Sequence, residues 1–340
     1  MKSIAVVILN YNGAEMLKRF LPIVLRNSTP IARVIVADNA STDNSVEVMR
    51  VKFPQVQLIK LDKNYGFAEG YNRALEQVKS DYYLLLNSDV EVTEGWIEPM
   101  FSVMESDNTI SACQPKLLDY KRKSHFEYAG AAGGFIDRYG YPYCRGRIFD
   151  TIEEDLGQYD TMCDIFWATG AALMIRSADY WSVGGLDGRF FAHMEEIDLC
   201  WRIRARGRRV VAVTCSTVYH LGGATLNYNN PRKTFLNFRN NLLMLYKNLP
   251  DKEYAYVMFV RRVLDYVAAL KFLLTGDYAN YKAVIDARRE FKQVKENYKD
   301  DRNGNMQAAI LEDIPQRSRF SILWRYYVCR CKFFTMLKRK

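Results

Sequence analysis

The chain has 340 residues, of which 49% are hydrophobic and 14% are aromatic, enough to fill a substantial core and to exclude a disordered or fibrous protein. The formal net charge is +9, but residues 314–340 carry eight Lys or Arg and no acid, so this charge mainly describes the C-terminal segment. The apolar run at 4–9 is too short for a signal peptide, and the apolar segment 263–274 is interrupted by charges. We therefore expect no membrane-spanning helix.

The first hundred residues alternate between strand and helix patterns. Continuous apolar runs at 4–9, 34–37 and 82–86, with another strand near 56–60, are typical of parallel strands buried on both faces. Between the first two runs, apolar residues recur at helical spacing at Leu17, Phe20, Leu21, Val24 and Leu25. Further helices are predicted from about residue 44 and over 67–78. This alternation predicts an α/β fold with a mainly parallel sheet flanked by helices.

Polar residues follow each predicted strand, at the sheet edge where such folds bind ligands. They are the segments 10–13 (NYNG), 38–43 (DNASTD), 62–66 (DKNYG) and 87–89 (NSD). A dinucleotide-binding G-x-G-x-x-G turn and a phosphate-binding loop are both absent, which disfavours a dehydrogenase. Binding of a diphosphate through a metal ion remains, with Asp89 as the natural first ligand. Helix capping explains Ser41, Asp43 and Asn44 equally well.

Several motifs occur in a characteristic order along the first 245 residues or so. They are 6–13 (VVILNYNG), 36–43 (VADNASTD), 64–68 (NYGFA) with Asn72, 84–89 (LLLNSD), 184–187 (GGLD), 190–191 (FF), 195–202 (EEIDLCWR) and 218–223 (VYHLGG). This ordered set resembles the signature of family 2 inverting glycosyltransferases, and within them a bacterial, rhamnosyltransferase-like subgroup. The resemblance implies a GT-A fold, a nucleotide-diphosphate sugar donor, a Mg²⁺ or Mn²⁺ ion, and a glycan or lipid-linked acceptor in cell-surface polysaccharide assembly.

The resemblance also implies which residues bind the nucleotide. Asp38 takes the position of the carboxylate that recognises the base and ribose, above a pocket floor formed by the backbone near Asn10 and Asn12. The remaining nucleotide-binding positions implied by the motifs are Asn64, Gly66, Asn72, Asn87 and Ser88.

The metal site is implied by two residues far apart in sequence. Asp89 matches the last acid of the family's metal motif, in which Asn87 replaces the first acid. His220 is the implied second ligand, since an equivalent His binds the ion in some relatives. A lone His is more often hydrogen-bonded in a surface or core, but the chain has only three, and this one follows a predicted strand. His193 has weaker support, and His125 is not assigned.

The reaction requires a base, because a sugar hydroxyl is a poor nucleophile until its proton is removed. By resemblance, Glu196 takes the position of this base, although most relatives carry Asp there. Glu195 is adjacent and could exchange roles with it. The alternative interpretation is a solvated acidic helix start, in which Glu195, Glu196 and Asp198 suit the positive end of the helix dipole.

Two further segments are candidates for the acceptor side of the site. The glycine-rich run 128–134 precedes Arg145 and Arg147, whose guanidinium groups suit a phosphate or an acidic sugar. An ordinary loop with surface arginines fits these residues equally well. Trp201 is a third acceptor candidate. Residues 239–241 (RNN) resemble a family segment near the active site, without an assigned role.

The C-terminal third has a different texture. A helical pattern runs over 235–295, the polar stretch 299–305 predicts a break, and the residues beyond mix aromatic and basic side chains. We therefore expect a catalytic domain at 1–232, a helical extension at 233–312 and a basic aromatic tail at 313–340. Such a tail suits the surface of an anionic membrane, whereas a solvated or partner-bound helix is the alternative. No nucleic-acid-binding module accompanies it, so we do not expect nucleic-acid binding.

The cysteines indicate the location of the protein, and the sequence leaves two rival functions. Seven scattered cysteines without C-x-x-C spacing predict reduced thiols in a cytoplasmic protein, peripheral on the inner face of the cytoplasmic membrane if the tail binds there. Two rival functions remain. A sugar nucleotidyltransferase would carry a glycine-rich, basic loop after the first strand, which residues 10–13 do not provide. A non-catalytic sugar-nucleotide-binding module would keep the fold and lose the metal.

Overall fold

The computed structural model describes residues 2–222 and 230–337. Gly223 of the 218–223 motif and the basic residues 338–340 of the tail lie outside the described residues. Within the described ranges, no helix is both long enough and apolar enough to cross a bilayer. The seven cysteines are free thiols.

Fourteen strands occur in the described ranges. In chain order they are β1 (Ile4–Asn10), β2 (Arg33–Asp38), β3 (Gln57–Lys60), β4 (Tyr82–Asn87), β5 (Val90–Val92), β6 (Ile110–Asp119), β7 (Gly134–Asp137), β8 (Pro142–Cys144), β9 (Arg147–Ile148), β10 (Thr151–Ile152), β11 (Cys163–Asp164), β12 (Ala172–Arg176), β13 (Arg209–His220) and β14 (Arg317–Ser318).

Helices cover the spaces between these strands and most of the C-terminal third. They are α1 (Ala14–Ser28), α2 (Ser45–Lys52), α3 (Gly66–Leu75), α4 (Ile97–Ser106), α5 (Ser177–Ser182), α6 (Glu195–Ala205), α7 (Pro231–Asn248), α8 (Asp251–Leu274), α9 (Tyr278–Val294), α10 (Lys299–Ala308) and α11 (Phe334–Leu337). Short 3₁₀ turns occupy Gly188–Phe190 and Lys295–Tyr298, and a π-helical turn occupies Trp324–Val328.

The main sheet is mixed, in the order β11-β13-β6-β12-β4-β1-β2-β3, with β5 paired to β13. One half, β4-β1-β2-β3, is parallel, with Val7 of β1 opposite Ile35 of β2 and Leu85 of β4. In the other half, β12 runs antiparallel to both β4 and β6. The predicted α/β fold is confirmed, and its parallel part is the part that the apolar runs predict.

Both faces of the main sheet are covered, which explains the uninterrupted apolar strands. On one face, Leu17, Leu21 and Val24 of α1 are buried against alternate β1 side chains, including Val6 and Ile8. The predicted α1 stripe is therefore confirmed, with Leu25 only partly buried.

A second, smaller sheet has the order β10-β9-β8-β7-β14, which the sequence analysis does not anticipate. Its strands have two to four residues, too short for an alternating pattern to stand out. The C-terminal segment adds β14 and then packs onto this sheet, because Phe334 contacts the rings of Phe135 and Tyr143. Part of the aromatic tail thus serves as core.

The helical C-terminal region continues through the predicted break. Residues 299–305 are helical, as the start of α10, so the predicted break is wrong. Most polar side chains of α10 face solvent, whereas Arg302 is buried and donates to the carbonyl of Tyr246. Polarity alone does not distinguish an exposed helix from a loop.

Candidate functional site

The carboxyl ends of β1 and β2 meet in register, which brings Asn10 beside Asp38. Both side chains are buried. Asn10 Nδ2 donates to Asp38 Oδ1 at 3.1 Å and to Ser41 Oγ at 3.2 Å. The Ser41 amide donates to the other carboxylate oxygen of Asp38 at 3.0 Å. Asp38 is therefore held in a fixed orientation at the edge where ligands of parallel sheets bind.

The loop after β1 is tied to the loop after β2. Asn12 adopts a left-handed conformation with φ of 52°, and its Oδ1 accepts from the Thr42 amide at 2.7 Å. Its own amide donates to Ser41 Oγ at 2.9 Å. A Cβ atom at Gly13 would lie 2.4 Å from Asn10 Oδ1, so a larger residue there would displace the Asn10 side chain. The two loops form one rigid wall of the candidate site.

Of Ser41, Asp43 and Asn44, only Asp43 caps a helix. Asp43 Oδ1 accepts from the Ser45 amide at 3.0 Å, at the first residue of α2, and its Oδ2 accepts from the Ala14 amide of α1. Asn44 makes no side-chain capping bond, although it immediately precedes α2. Asp43 is thus used to fix two helix starts.

Asn64 and Gly66 lie where β3 leads into α3. Asn64 Oδ1 accepts from Asn39 Nδ2 at 3.1 Å and from the Gly66 amide at 2.8 Å. Gly66 has φ of 75°, and a Cβ atom there would lie 2.5 Å from the ring of Phe191. The Phe191 carbonyl accepts from the Phe67 amide at 2.7 Å. The start of α3 therefore contacts the loop that leads to α6.

Asn72 points away from this edge. Its Nδ2 donates to the Leu186 carbonyl at 2.8 Å, and its Oδ1 accepts from the Tyr180 hydroxyl at 2.6 Å. These bonds use both polar atoms of the side chain to hold the 184–187 turn. A direct contact between Asn72 and a nucleotide stays a prediction. The structure shows that Asn72 also has a structural role.

The implied metal ligands meet because β5 pairs with β13. Val90, the first residue of β5, lies opposite His220, the last residue of β13. As a result Asp89 Oδ1 lies 3.2 Å from His220 Nε2, and Asn87 Nδ2 lies 3.4 Å from the same nitrogen. Ser88 is half-buried between Asn87 and Asp89. Two side chains separated by 131 residues in sequence are thus adjacent in the fold, and their role as metal ligands stays a prediction.

A third charged side chain, Glu127, completes this cluster. Its Oε1 lies 3.2 Å from His220 Nδ1, and all three side chains of the cluster are buried. Burial alone would lower the pKa of His220, but Glu127 and Asp89 favour the imidazolium and raise it to about 10. Although burial opposes it, His220 in turn holds the pKa of Asp89 below its ordinary value.

The fit of this cluster to a divalent ion rests on two side chains. A carboxylate and an imidazole suit Mn²⁺, and the carboxylate also suits Mg²⁺. Across the ranges that the structure describes, no group of three or more His, Cys, Asp or Glu side chains could hold a metal on its own. Because the metal-free imidazole favours its protonated form, an ion that binds Nε2 must displace that proton. With the proton displaced, Asp89 and His220 fit an ion that takes its remaining ligands from a bound diphosphate or from water.

Glu195 and Glu196 occupy the first turn of α6, and their surroundings differ from those of the His220 cluster. Glu195 is buried and Glu196 is half-buried, and the Oε2 atom of each has no hydrogen-bond partner among the described residues. Burial raises the pKa of Glu196 to about 7. Burial and the charge of Glu196 raise the pKa of Glu195 well above its ordinary value. Glu196 can thus take up a proton near neutral pH.

The third acid of this turn, Asp198, has a different environment. It is fully buried and accepts from Arg202 Nε at 3.0 Å, Lys247 Nζ at 2.8 Å and Asn248 Nδ2 at 2.8 Å. Lys247 also bonds Asp187 at 2.8 Å. Asp198 therefore holds α6 against α7. The interpretation of a solvated acidic turn disagrees with the burial of Glu195 and Asp198.

The loop before α6 is held in an unusual conformation by α7. Phe191, His193 and Met194 all have positive φ, between 66° and 73°. Asn240 Nδ2 lies 2.9 Å from the carbonyl oxygens of Phe190, Ala192 and His193. Such backbone conformations persist only when surrounding contacts impose them. This contact gives the RNN segment a structural role that the sequence analysis did not assign.

The candidate acceptor arginines are directed into the protein. Arg145 Nε donates to the Ala132 carbonyl at 2.9 Å, and Arg147 Nε donates to the Tyr128 carbonyl at 2.8 Å. Both side chains are buried. They hold the glycine-rich run 128–134 against the second sheet. Their contact with an acceptor stays a prediction. The alternative, an ordinary loop with surface arginines, does not fit their burial.

Trp201 is likewise buried, on the inner side of α6. Its ring packs edge-on against Phe166, with the centroids 5.3 Å apart. The guanidinium of Arg317 lies 5.6 Å from the Trp201 ring. Its proposed acceptor contact is untested, and its packing gives it a role in the core.

His193 has its pKa lowered to about 4 by burial and nearby Lys233.

Comparisons with known proteins agree with this arrangement. The model of glycosyl transferase family 2 matches residues 5–170. The chain is 25% identical over 230 residues to the N-acetylglucosaminyl-diphospho-decaprenol L-rhamnosyltransferase of Mycobacterium tuberculosis. That alignment covers 63% of this chain and 75% of the relative.

Two solved structures share the fold. A crystal structure of GalNAc-T7 with UDP, GalNAc and Mn²⁺ matches 97% of this chain with a TM-score of 0.61 and 16% identity. This chain covers 57% of the GalNAc-T7 chain, a little over half of its length. The mannosyltransferase PcManGT from Pyrobaculum calidifontis, in complex with GDP-Man and Mn²⁺, matches 92% of this chain and 87% of its own. Its TM-score is 0.52 at 12% identity.

Proposed function

We propose that the chain transfers a sugar with inversion at the anomeric carbon. The premise is that residues 5–170 belong to glycosyl transferase family 2 and that the chain is a glycosyltransferase. The donor is a nucleotide-diphosphate sugar and the acceptor is a hydroxyl. The observation that carries this proposal is the pair formed by Asp89 and His220 at the sheet edge that also carries Asp38.

Asp38 and the loops after β1 and β2 are the proposed nucleotide site. The Asp38 carboxylate, oriented by Asn10 and Ser41, would accept hydrogen bonds from the base or the ribose. Buried Asn10 Oδ1 has no partner among the described residues, which supports an additional acceptor at this place. Asn12 would shape the floor of the site through its bonds to the neighbouring loop.

Asp89 and His220 are the proposed ligands of a Mg²⁺ or Mn²⁺ ion. An ion bound there would neutralise the charge that develops on the departing diphosphate. The Glu127 carboxylate next to His220 Nδ1 would orient the imidazole and keep Nε2 directed at Asp89. The Mn²⁺ in both matched structures supports this assignment for the fold.

Glu196 is the proposed general base. As the acceptor oxygen forms its bond to the anomeric carbon and the bond to the diphosphate breaks, Glu196 would take the hydroxyl proton. A base with a pKa near 7 is ionised and still an effective proton acceptor at neutral pH. Glu195 is the alternative, but its greater burial and more strongly raised pKa favour the neutral form.

The acceptor is proposed by analogy with the rhamnosyltransferase relative, whose name specifies a diphospho-decaprenol acceptor. We propose a lipid-linked glycan acceptor and a role in cell-surface polysaccharide assembly. We also propose the division into a catalytic domain at 1–232, a helical extension at 233–312 and a tail at 313–340. The exposed tail residues Trp324 and Tyr327, together with the tail's basic residues, support contact with an anionic membrane at its cytoplasmic face.

Thermal unfolding with UDP, dTDP and GDP, each with and without Mn²⁺, tests the donor site. A ligand at one hundred times its dissociation constant stabilises the folded state by about 2.7 kcal/mol. We expect one nucleotide to stabilise the protein, and to do so more strongly with Mn²⁺. Asp38→Ala should remove the effect, whereas Asp300→Ala, at an exposed acid of α10, is the control. Stabilisation by no nucleotide, or equal stabilisation of the Asp38 variant, would contradict the proposal.

A hydrolysis assay separates an enzyme from a binding module. Glycosyltransferases slowly transfer the donor sugar to water. The nucleotide that stabilises the protein should therefore be supplied as its sugar conjugate, and the release of free sugar should be measured. Binding without any release would favour the non-catalytic alternative.

A further inference from the structure

Helix α8 exposes most of its large apolar side chains and buries an ion pair, Arg261 with Asp265. Along the outward face, Phe259 is 63% exposed, Val267 is 59% exposed and Leu274 is 78% exposed. The other large apolar residues exposed on this helix are Tyr256, Val263, Tyr266, Leu270 and Leu273. They recur every three or four residues, so they form one continuous stripe. We call these eight residues the α8 stripe.

The opposite face of α8 is buried, and two of its four buried residues are charged. Arg261 and Asp265 are buried on it and bond to each other, and Arg288 of α9 also bonds Asp265. Arg261 donates further to the Tyr139 carbonyl at 2.8 Å. This reverses the usual arrangement, in which the apolar face of a surface helix packs inward. The ion-pair network fixes the orientation of the helix, so the stripe cannot rotate into the core.

The charges beside the stripe have one sign. Between residues 254 and 276 the exposed charged side chains are Arg262 and Lys271, and the only acid of this segment, Asp265, is buried. Neither Arg262 nor Lys271 forms an ion pair within the described part of the chain. Apolar and aromatic residues flanked by bases are the composition of helices that lie in the interface of an anionic bilayer.

We propose that the α8 stripe docks the protein on an anionic lipid surface, with the helix lying parallel to it. A helix of 24 residues is about 36 Å long, so the stripe offers an extended contact. Pairing with a second copy fits less well. The midpoint of α8 lies between Arg262 and Val263, so a two-fold antiparallel pairing would bring the two Arg262 side chains together. Anionic headgroups instead provide a partner for both bases.

The stripe continues toward the exposed part of the tail. The Tyr256 hydroxyl lies 3.1 Å from that of Tyr139, and the Arg138 guanidinium lies over the Tyr256 ring. The Arg138 amide donates to the Phe320 carbonyl, four residues before Trp324. In this proposal α8 provides the main contact and the tail adds to it. The inference goes beyond the proposed function, because lipid binding does not depend on sugar transfer.

Docking through α8 would also bring the candidate base close to the lipid surface. The inner side of the helix bonds through Arg261 to Asn241 Oδ1. Asn241 Nδ2 lies 3.7 Å from Met194 Sδ, one residue before Glu195. The first turn of α6 is thus two contacts away from the helix that carries the stripe.

Sedimentation with vesicles tests the proposal. The α8 variant carries Phe259→Gln, Val263→Gln, Val267→Gln and Leu270→Gln. The control variant carries Val51→Gln, Leu156→Gln, Met162→Gln and Ile310→Gln, four exposed apolar residues elsewhere. Wild-type and control proteins should sediment with phosphatidylglycerol-containing vesicles, and the α8 variant should bind about tenfold more weakly or not at all. Unchanged thermal unfolding of the α8 variant would show that its fold is intact.

Two further measurements identify the contact. Arg262→Gln with Lys271→Gln should reduce the preference for anionic over phosphatidylcholine vesicles, by about fivefold per charge. Substituting Trp324, Tyr327 and Phe333 by Ser should weaken binding less than the α8 variant does. If the tail variant alone abolishes binding, or if the wild-type protein is a dimer that the α8 variant dissociates, the proposal is wrong. Absence of vesicle binding by the wild-type protein would overturn it as well, and would leave the nucleotide results unaffected.

Discussion

Two groups of buried acids in this glycosyltransferase have opposite environments. Around His220, the carboxylates of Asp89 and Glu127 each lie 3.2 Å from an imidazole nitrogen. In the first turn of α6, Glu195 and Glu196 each have a buried oxygen without a described partner. The imidazole beside Asp89 lowers the pKa of that carboxyl and favours its charged form, which suits a cation. Burial without a partner raises the pKa of Glu196 to about 7, which suits proton transfer near neutral pH. The difference separates a proposed metal site from a proposed base site.

The largest effect is expected at Glu196. Glu196→Gln keeps the size of the side chain and removes its capacity to accept a proton. Turnover should fall by about 10²- to 10⁴-fold, or about 2.7 to 5.4 kcal/mol of barrier, with donor affinity nearly unchanged. Single-turnover rates and nucleotide dissociation constants measure the two quantities separately.

Glu195→Gln and the pH profile are the controls for this assignment. With the pKa of Glu196 near 7, wild-type turnover should fall as the pH decreases below about 7, since protonated Glu196 cannot act as base. If Glu195→Gln loses turnover and Glu196→Gln retains it, the base is Glu195. If neither variant loses more than a few-fold, neither residue is the base and Asp187 becomes the next candidate.

The partnered group predicts a change in metal dependence. Asp89→Ala should abolish the additional nucleotide stabilisation that Mn²⁺ provides, so that a nucleotide stabilises the variant equally with and without the ion. His220→Ala should weaken it. Glu94→Ala is the control and should behave as the wild type, because Glu94 is an exposed acid five residues after Asp89. Unchanged Mn²⁺ dependence in both the Asp89 and His220 variants would remove them as ligands.

The two groups of acids also show how much of the candidate site can be predicted from the sequence. The apolar runs and the order of motifs predicted the parallel half of the sheet and brought attention to Asp89 and His220. Glu127 was missed, because nothing in its sequence neighbourhood distinguishes it from any acid before a glycine-rich loop. Its position depends on backbone bonds between residues 117 and 127 and between 120 and 220, which have no local signal.

The α8 helix shows a second limit of sequence interpretation. Its helical spacing was recognised, but spacing alone does not reveal which face is buried. In the structure Val267 is exposed, whereas Arg261 and Asp265 of the same helix are buried. The buried polar face depends on partners from α9 and the β7–β8 turn, which only the tertiary fold brings together.

A smaller effect is expected where α7 supports the base. Asn240→Ala removes the amide from three carbonyls of the strained loop before α6, so Glu196 should be less well positioned. We expect kcat to fall about tenfold with little change in donor KM. Asn237→Ala, on the same helix and only partly buried, is the matched control. An equal loss in both variants, or a loss confined to KM, would argue against a positioning role.

The smallest effect concerns stability, and its sign follows from the raised pKa of Glu195. The folded protein retains a proton on Glu195 at pH values where the unfolded chain has released it. Wild-type stability therefore decreases as the pH rises from the ordinary Glu pKa, about 4.3, through the folded-state pKa. Glu195→Gln removes this titration, so the variant should gain stability relative to the wild type as the pH is raised from 5 to 9. Urea unfolding at both pH values measures the gain, and exposed Glu94→Gln should show none. A difference between Glu195→Gln and wild type that is the same at both pH values would mean that Glu195 is ionised in the folded protein. The contrast between the two groups of acids would then rest on Glu196 alone.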